Sequence, residues 1–348
     1  MKAYVLHDID DLRLEETVMP LPKAYEVIVQ VKAAGICGSD IPRIYKTGTY
    51  SFPLIPGHEF AGIVTAMGED VDVKWRDKPV GIFPLIPCHY CKQCEKKQYE
   101  MCRHYSYLGS RTNGGFAEYV AVPEKNLIEI PQSVDYDVAA MLEPMAVAVH
   151  AMRKSGVKSE DVVAVCGLGT IGLLLCMFLL DAGITNIYVI GNKEFQKQKI
   201  MELGISEEHY CDSNKVPVNG WLSTQTQGSG VDVFFECVGK EETIAQAIVN
   251  TSPGGTVQLI GNPAADIDLK KDVYWKILRH QLTVTGSWNS SFLHTQEDDW
   301  HYVLQRLEQK KIHPEKFITQ RFSMEQLEQG LHIMRDKTEE YVKVMIKL

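Results

Sequence analysis

The sequence predicts an α/β protein with a mostly β domain and a second domain built on a doubly wound parallel sheet. The chain has 348 residues, which is more than a single hydrophobic core usually organises. Strand-like segments dominate its first part, whereas strands and helices alternate from Asp161 onward. We therefore expect residues 1–150 and 290–348 to form the mostly β domain, and residues 151–289 to form the parallel sheet.

The mostly β domain is predicted from short segments that alternate in polarity or carry β-branched residues, separated by proline and glycine. These segments are residues 2–6, 12–16, 26–33, 62–66, 79–83 and 116–122. A longer run with few helix breakers, residues 138–152, predicts a helix after them.

The parallel sheet is predicted from six short strands with helical segments between most of them. The strands are residues 162–166, 187–190, 209–211, 231–236, 256–260 and 282–285, and the helices include residues 171–182, 196–203 and 241–249. The tail has two helical segments, residues 296–309 and 324–336, and a last strand, residues 342–346. This tail does not continue the alternation, so we expect it to return to the first domain.

Composition and charge exclude several classes of protein. The net charge of −9 argues against nucleic acid or an anionic membrane as a partner. The longest apolar run, residues 171–180, ends at Asp181 and is far shorter than the roughly 20 residues that span a bilayer. The first residues lack the apolar core of a secretory signal. We therefore expect a cytoplasmic protein with a small-molecule substrate.

A glycine-rich turn follows the first strand of the parallel sheet and opens a helix. It has the pattern G-x-G-x-x-G and consists of Gly167, Leu168, Gly169, Thr170, Ile171 and Gly172. In this context the glycines permit a tight turn, approach of a pyrophosphate, and close packing of helix on strand. The turn predicts a dinucleotide cofactor, with Val238 and Gly261, each just after a later strand, also in the binding site.

The choice between NAD and NADP depends on the end of the second strand. NAD-binding proteins usually carry an acid there that bonds the ribose 2′-hydroxyl. This strand ends in Gly191-Asn192-Lys193, which suits a 2′-phosphate better. We therefore expect NADP, or use of both cofactors. The alternative is that Glu194 reaches the ribose and the cofactor is NAD.

Four cysteines form the most specific local pattern in the chain. Their spacing is C-x2-C-x2-C-x7-C, in a polar lobe of about residues 85–105, and they are Cys88, Cys91, Cys94 and Cys102. Four thiolates in one loop make a closed tetrahedral zinc site that stabilises the fold. An iron–sulfur cluster also accepts four thiolates, but the usual proline after the last one is absent.

A second candidate metal site lies within residues 37–62. Cys37-Gly38-Ser39-Asp40 and Gly57-His58-Glu59 offer the mixture of sulfur, nitrogen and oxygen ligands that zinc accepts. The alternative is a buried cysteine and a core histidine that never meet.

With these pieces the chain resembles the zinc-containing medium-chain alcohol and polyol dehydrogenase family over its whole length. The stretch Gly57-His58-Glu59-x2-Gly62-x5-Gly68-x2-Val71 matches the family's zinc signature. Within the family the chain is most similar to dehydrogenases of sugar-alcohol phosphates, those of galactitol 1-phosphate and arabitol phosphate. The similar stretches are residues 37–45, 109–119, 143–144, 149–151 and 276–288.

The resemblance implies a GroES-like catalytic domain, a Rossmann domain and two zinc ions per chain, one catalytic and one structural. Cys37, His58 and Glu143 would hold the catalytic zinc, and Glu59 would bind or exchange with it. The resemblance also implies a homodimer or homotetramer.

Two residues beside the catalytic metal have expected roles. Ser39 would relay a proton from the reacting hydroxyl toward solvent. Asp40 would accept the second ring N–H of His58 and fix its tautomer. The alternative for both is simple helix capping.

A phosphorylated substrate requires a cation, and Arg43 is the first candidate because it lies six residues after Cys37. Arginine binds phosphate through two parallel N–H bonds. Arg111 is a second candidate, and Trp288 is expected to line the pocket. The alternatives are a solvated surface charge for each arginine and a core position for the tryptophan.

Together these features predict an NAD(P)-dependent enzyme that oxidises a sugar-alcohol phosphate to a ketose phosphate. A dehydrogenase of free polyols, of the sorbitol or xylitol type, is the alternative within the same class. A non-catalytic dinucleotide sensor with one structural zinc is the alternative in another class.

Overall fold

The computed structural model describes residues 1–348, and the chain divides into two compact units. Unit 1 comprises Met1–Pro144 and Ser291–Leu348, and unit 2 comprises Met145–Ser290. The first boundary lies six residues before the position expected from the sequence, inside a helix. No helix combines the length and the apolar character needed to cross a bilayer.

The first part of unit 1 is built from short strands with few helices. Its strands are β1 (Lys2–Asp8), β2 (Asp11–Glu16), β3 (Glu26–Ile36), β4 (Glu59–Met67), β5 (Pro79–Ile82), β6 (Leu85–Ile86), β7 (Ser106–Tyr107), β8 (Tyr119–Pro123) and β9 (Leu127–Glu129). Its helices are α1 (Asp40–Pro42), α2 (Lys92–Glu95), α3 (Tyr136–Ala139) and α4 (Leu142–Ser155). All six predicted strands are present, which confirms a mostly β domain.

The predicted helix over residues 138–152 was wrong in one respect, because the structure has two helices, α3 and α4, in its place. Pro144 explains the break. Proline has no backbone N–H, and its ring would clash with the carbonyl of Ala140 in a continuous helix. The break places Glu143 in the first turn of α4.

Unit 2 alternates strands and helices as the sequence predicts. The strands are β10 (Val163–Cys166), β11 (Ile187–Gly191), β12 (Tyr210–Asp212), β13 (Val231–Glu236), β14 (Thr251–Leu259) and β15 (Thr283–Gly286). The helices are α5 (Thr170–Asp181), α6 (Glu194–Glu202), α7 (Val218–Gln225), α8 (Glu241–Asn250) and α9 (Lys271–His280).

All six strands of unit 2 are parallel, in the order β12-β11-β10-β13-β14-β15. The order reverses between β10 and β13, where Cys166 is paired with Glu236. In open parallel sheets ligands bind outside the carboxyl ends of the strands at this reversal. The glycine-rich turn follows Cys166, so the topology puts it at that position and confirms the doubly wound sheet.

The tail returns to unit 1 and completes its sheet. It consists of α10 (Asp299–Glu308), β16 (Ile318–Ser323), α11 (Leu327–Asp336) and β17 (Lys343–Lys347). The seven-stranded sheet runs β16-β17-β3-β4-β5-β9, and β8 also pairs with β3. The long strand β3 is therefore central, with β4, β8 and β17 all bonded to it. Strand β16 was not foreseen from the sequence.

Candidate active site

Strand pairing brings the two halves of the candidate metal site together. Cys37 directly follows β3, and His58 directly precedes β4. The two strands are antiparallel, with Gly35 paired to Glu59. The end of one strand therefore meets the start of the other, although 20 residues separate Cys37 from His58 in the sequence.

Cys37, His58 and Glu59 offer ligand atoms that all lie within 4.8 Å of one another. His58 and Glu59 are buried, and Cys37 is half-buried. Three protein ligands of sulfur, nitrogen and oxygen type fit a catalytic zinc ion, which keeps its fourth position for water or substrate. The alternative in which the cysteine and the histidine never meet is therefore wrong.

Glu143 stands outside this group. Its Oε1 accepts a hydrogen bond of 3.1 Å from the hydroxyl of Tyr107, whose ring packs edge-on against His58. Burial, together with the charge of Glu59, raises the pKa of Glu143 to about 7. The Glu143 carboxylate is thus bonded to Tyr107 and is not among the ligand atoms that lie within 4.8 Å of one another. Its expected role as a zinc ligand stays a prediction.

Asp40 organises the turn that carries Cys37. It is fully buried, accepts a 3.0 Å hydrogen bond from the Cys37 backbone N–H, and pairs with Arg43. Burial opposes its ionisation, but His58 and Arg43 outweigh burial and lower the pKa of Asp40. Its Oδ1 lies 3.4 Å from Nδ1 of His58, without hydrogen-bond geometry. The expected bond between them is therefore a close contact here, and not a hydrogen bond.

The hydroxyl of Ser39 donates a hydrogen bond of 3.3 Å to the sulfur of Cys37. Ser39 occupies the N-cap position of α1, but its side chain makes no capping bond. Simple helix capping therefore does not account for this serine.

Lys343 is a site residue that sequence reasoning missed. It is 2% exposed, donates a 3.0 Å hydrogen bond to the Ile36 carbonyl, and also bonds Glu59. The pairing of β17 with β3 places it there, because Val344 is paired with Ile36. In the last strand predicted from the sequence, residues 342–346, Lys343 is the single polar residue, but this signal does not identify its partner.

The charges around this group favour a divalent cation. Four acidic side chains lie here, those of Cys37, Asp40, Glu59 and Glu143. Two cations, Arg43 and Lys343, are paired with members of this set. When all four acids are ionised and His58 is neutral, the negative charges exceed the positive charges by two. Buried charges need partners, so a divalent ion complements this set of residues.

The four cysteines of the lobe form a second group. Cys91 lies 3.6 Å from Cys94 and 3.9 Å from Cys102, and Cys88 lies 3.9 Å from Cys94, sulfur to sulfur. Zinc with sulfur ligands at about 2.3 Å in a tetrahedral array separates the sulfurs by about 3.8 Å. The distances therefore fit a structural zinc ion.

The glycine-rich turn of unit 2 has the geometry of a pyrophosphate site. Gly167 has φ +95°, and a Cβ there would meet Val238 at 2.5 Å; one at Gly172 would overlap the Gly167 carbonyl. A Cβ at Gly169 would meet nothing within 4 Å, so the space beside it is open. This turn lies at the N-terminus of α5, where backbone N–H groups favour anions.

Glu236 orders the neighbouring turn, and sequence reasoning missed it. It is fully buried, and its carboxylate accepts hydrogen bonds from the backbone N–H groups of Val238 and Gly239 and from the hydroxyl of Thr243. A Cβ at Gly261 would overlap the Gly239 nitrogen. The segment around Val238 and Gly261 is therefore closely packed at the carboxyl edge of the sheet.

No acid ends β11. Gly191 is its last residue, Asn192 is exposed, and Lys193 caps α6 without a side-chain capping bond. Gln196 bonds the Asn192 N–H. The half-exposed Lys193 remains the cation nearest this strand end in sequence.

The proposed substrate residues lie in different surroundings. Arg43 is paired with the buried Asp40, so its charge already has a partner. Arg111 has no carboxylate partner and contacts the rings of Tyr50 and Tyr105. Trp288 belongs to unit 2 and is 54% exposed, so a core position for it is wrong.

Comparison with known families agrees with this fold. Residues 23–132 match the family described as Alcohol dehydrogenase GroES-like domain, and residues 170–309 match Zinc-binding dehydrogenase. The chain belongs to the zinc-dependent medium-chain family of alcohol and polyol dehydrogenases.

Curated relatives share nearly the whole chain but differ in substrate. Galactitol 1-phosphate 5-dehydrogenase of Escherichia coli K12 is 31% identical over 94% of each chain. Sorbitol dehydrogenase of Halalkalibacterium halodurans is 30% identical over 99% of each. L-threonine 3-dehydrogenase of Bacillus licheniformis is 31% identical over 91% of each.

Solved structures show the same architecture. Galactitol-1-phosphate dehydrogenase of Escherichia coli superposes with a TM-score of 0.93 at 30% identity over the full length of both chains. A zinc-binding dehydrogenase of Sinorhizobium meliloti 1021, bound to NADP, has a TM-score of 0.90 at 28% identity, over 100% of this chain and 99% of that chain. The protein is therefore an oxidoreductase with a small-molecule substrate, which favours an enzyme over a dinucleotide sensor.

The lobe provides a test of the structural zinc. We expect Cys94→Ser to lower the zinc content from two ions to one per chain, because three thiolates no longer close the tetrahedral site. The melting temperature should fall by about 5 °C or more, since structural zinc contributes directly to folding. Metal analysis and thermal unfolding measure both. His104→Ala is the control: His104 is exposed and stacks on Tyr90, and this variant should keep both ions.

Proposed function

We propose that the protein oxidises a secondary hydroxyl of a sugar-alcohol phosphate, of the galactitol 1-phosphate or arabitol phosphate type, to the ketose phosphate with NAD(P)+. The carbinol carbon gives its hydride to the nicotinamide ring, and the hydroxyl gives its proton to solvent. The products are a ketone, NAD(P)H and a proton. The grouping of Cys37, His58 and Glu59 is the observation that carries the reaction type.

Each residue of the group has a task in this reaction. A bound zinc ion supplies a Lewis acid, which lowers the pKa of a hydroxyl that binds to it. Ser39, bonded to the Cys37 sulfur, passes the proton of the reacting hydroxyl outward. Tyr107 keeps the Glu143 carboxylate beside His58. Lys343 restrains Glu59 through their ion pair.

The phosphate of the substrate is supported by the relatives and by the cations of unit 1. The 31% identity to galactitol 1-phosphate 5-dehydrogenase extends over 94% of each chain. Arg43 and Arg111 both lie on segments that adjoin the ligand group. These observations favour an anionic substrate.

A free polyol is the second candidate, and two observations favour it. Sorbitol dehydrogenase is 30% identical over 99% of each chain. The guanidinium of Arg43 is also already paired with the carboxylate of Asp40, which makes Arg43 a weaker receptor for phosphate.

A substrate panel separates the two candidates. We expect kcat/KM for a phosphorylated polyol to exceed that for the same free polyol by about tenfold or more, since charge-assisted bonds to phosphate contribute about 1.5–3 kcal/mol. Initial rates with galactitol 1-phosphate, arabitol phosphate, galactitol, sorbitol and xylitol, each with both cofactors, measure this ratio. A ratio near one contradicts the phosphate claim.

Cys37→Ser tests the metal-dependent mechanism. We expect zinc to fall from two ions to one and turnover to fall at least a thousandfold, because an uncharged hydroxyl replaces a thiolate ligand. Cys94→Ser also loses one zinc ion, but from the structural site. Comparing the turnover of the two variants therefore separates the effect of losing a zinc ion in general from the effect of losing the catalytic one. A Cys37→Ser enzyme with full turnover would contradict the mechanism.

We further propose that the cofactor is NADP, or both NAD and NADP, because β11 ends without an acid. Lys193→Ala should lower kcat/KM for NADP about tenfold, through loss of a cation at the 2′-phosphate, and leave NAD nearly unchanged. Lys197→Ala is the control, since Lys197 is paired with Glu207 one turn further along α6. A strong preference of the unaltered enzyme for NAD would contradict the proposal.

A further inference from the structure

The loop of residues 107–116 is fixed at both ends to the candidate active site. At its start, Tyr107 bonds Glu143. At its end, the backbone N–H groups of Gly114 and Gly115 donate 2.8 Å hydrogen bonds to the carbonyls of Ile55 and Gly57. Gly57 directly precedes the ligand His58, so the loop lies on the turn that presents the metal ligand.

Two glycines make this close approach possible. A Cβ at Gly109 or at Gly114 would overlap the carbonyl oxygen of Gly57. Gly109 also has φ +80°, a conformation that other residues adopt only with strain. The loop therefore cannot move away from the His58 turn without losing its packing and its hydrogen bonds.

Arg111 occupies the middle of this loop, and its backbone N–H donates a 2.9 Å hydrogen bond to the Tyr107 carbonyl. Its guanidinium carbon lies 4.1 Å from the ring centre of Tyr50 and 4.2 Å from that of Tyr105. Nη1 donates a 3.1 Å hydrogen bond to the Tyr105 carbonyl. Two aromatic rings and one hydrogen bond thus fix the orientation of the guanidinium plane.

The charge of Arg111 is not neutralised within the protein. No carboxylate pairs with it, and its Nε is buried without a hydrogen-bond partner. A buried donor without a partner costs free energy, which an acceptor on a ligand would recover. By contrast, Arg43 already has the buried Asp40 as its partner.

We propose that Arg111, held by Tyr50 and Tyr105, is the residue that binds the phosphate of the substrate. This inference rests on the proposed function. A planar guanidinium without a carboxylate partner suits bidentate binding of phosphate. The phosphate lies at one end of the carbon chain, away from the reacting hydroxyl, so its receptor belongs on a segment next to the ligand group and not within it. Arg111 meets that requirement.

Kinetic selectivity is the first test. We expect Arg111→Gln to lower the ratio of kcat/KM for the phosphorylated polyol to that for the free polyol by about 30-fold, mainly through KM. Arg111→Lys keeps the charge but not the planar contacts, and should lower the ratio less. Arg306→Gln is the matched control, since Arg306 lies over the ring of Tyr302 at 5.8 Å on α10 and should leave the ratio unchanged.

Inorganic phosphate gives a second readout that does not depend on the polyol. At saturating dinucleotide, phosphate should inhibit competitively with the substrate, and Arg111→Gln should raise its inhibition constant at least tenfold. Tyr50 is 72% exposed, so Tyr50→Leu removes one ring without disturbing the core. It should raise the same constant several-fold, whereas Tyr50→Phe should restore it. These two variants also decide the question where Arg111→Gln fails to fold.

The outcomes separate this inference from the proposed function. Suppose that the enzyme prefers phosphorylated polyols, and that Arg111→Gln keeps this preference and leaves the phosphate inhibition constant unchanged. This result overturns the role of Arg111 and leaves the proposed function standing. An enzyme without any preference for phosphorylated polyols contradicts the proposed function, and the phosphate inhibition constants then decide the role of Arg111.

Discussion

The register between β3 and β4 is the constraint on which the active site depends. Gly35 is paired with Glu59, so Cys37 and His58 emerge side by side from the ends of two neighbouring strands. A slip of one residue would turn every side chain of a strand to the opposite face of the sheet. Strand β17 binds the other edge of β3 and adds Lys343 to the same place. Hydrogen bonds of a central sheet therefore position a thiol, an imidazole, a carboxylate and an ammonium group.

Charge balance connects this sheet to the chemistry. The buried carboxylates of Asp40, Glu59 and Glu143 each have a defined polar contact, to Arg43, Lys343 and Tyr107 respectively. Such contacts fix the orientation of each group before any substrate arrives, which is what an electrostatic site requires. With Cys37 and the three carboxylates ionised and His58 neutral, two negative charges remain, which a divalent cation would balance. The same contacts hold Glu143 at Tyr107 and keep Glu59 beside Lys343.

The four-cysteine lobe and the loop of residues 107–116 are one continuous segment. Cys102 is the last ligand of the lobe, and Tyr105, Tyr107 and Arg111 follow it within nine residues. A tetrahedral zinc ion bound by the four cysteines would order the lobe, and with it the start of the loop that reaches Glu143 and Gly57. The lobe therefore adjoins a segment that contacts the candidate active site.

Features that depend on a local pattern could be predicted from the sequence alone. Short strands separated by helical segments predicted the six strands of unit 2, and glycine spacing predicted the turn at Gly167–Gly172. Cysteine spacing predicted the structural metal site, because ligands close in sequence must be close in space. The sequence also identified Cys37 and His58. The tertiary structure was needed to show that Tyr107 bonds Glu143, that Asp40 pairs with Arg43, and that Lys343 lies beside Glu59, 284 residues away in the sequence. These contacts arise from strand pairing and from loop packing, and local spacing carries no information about which distant segments will meet.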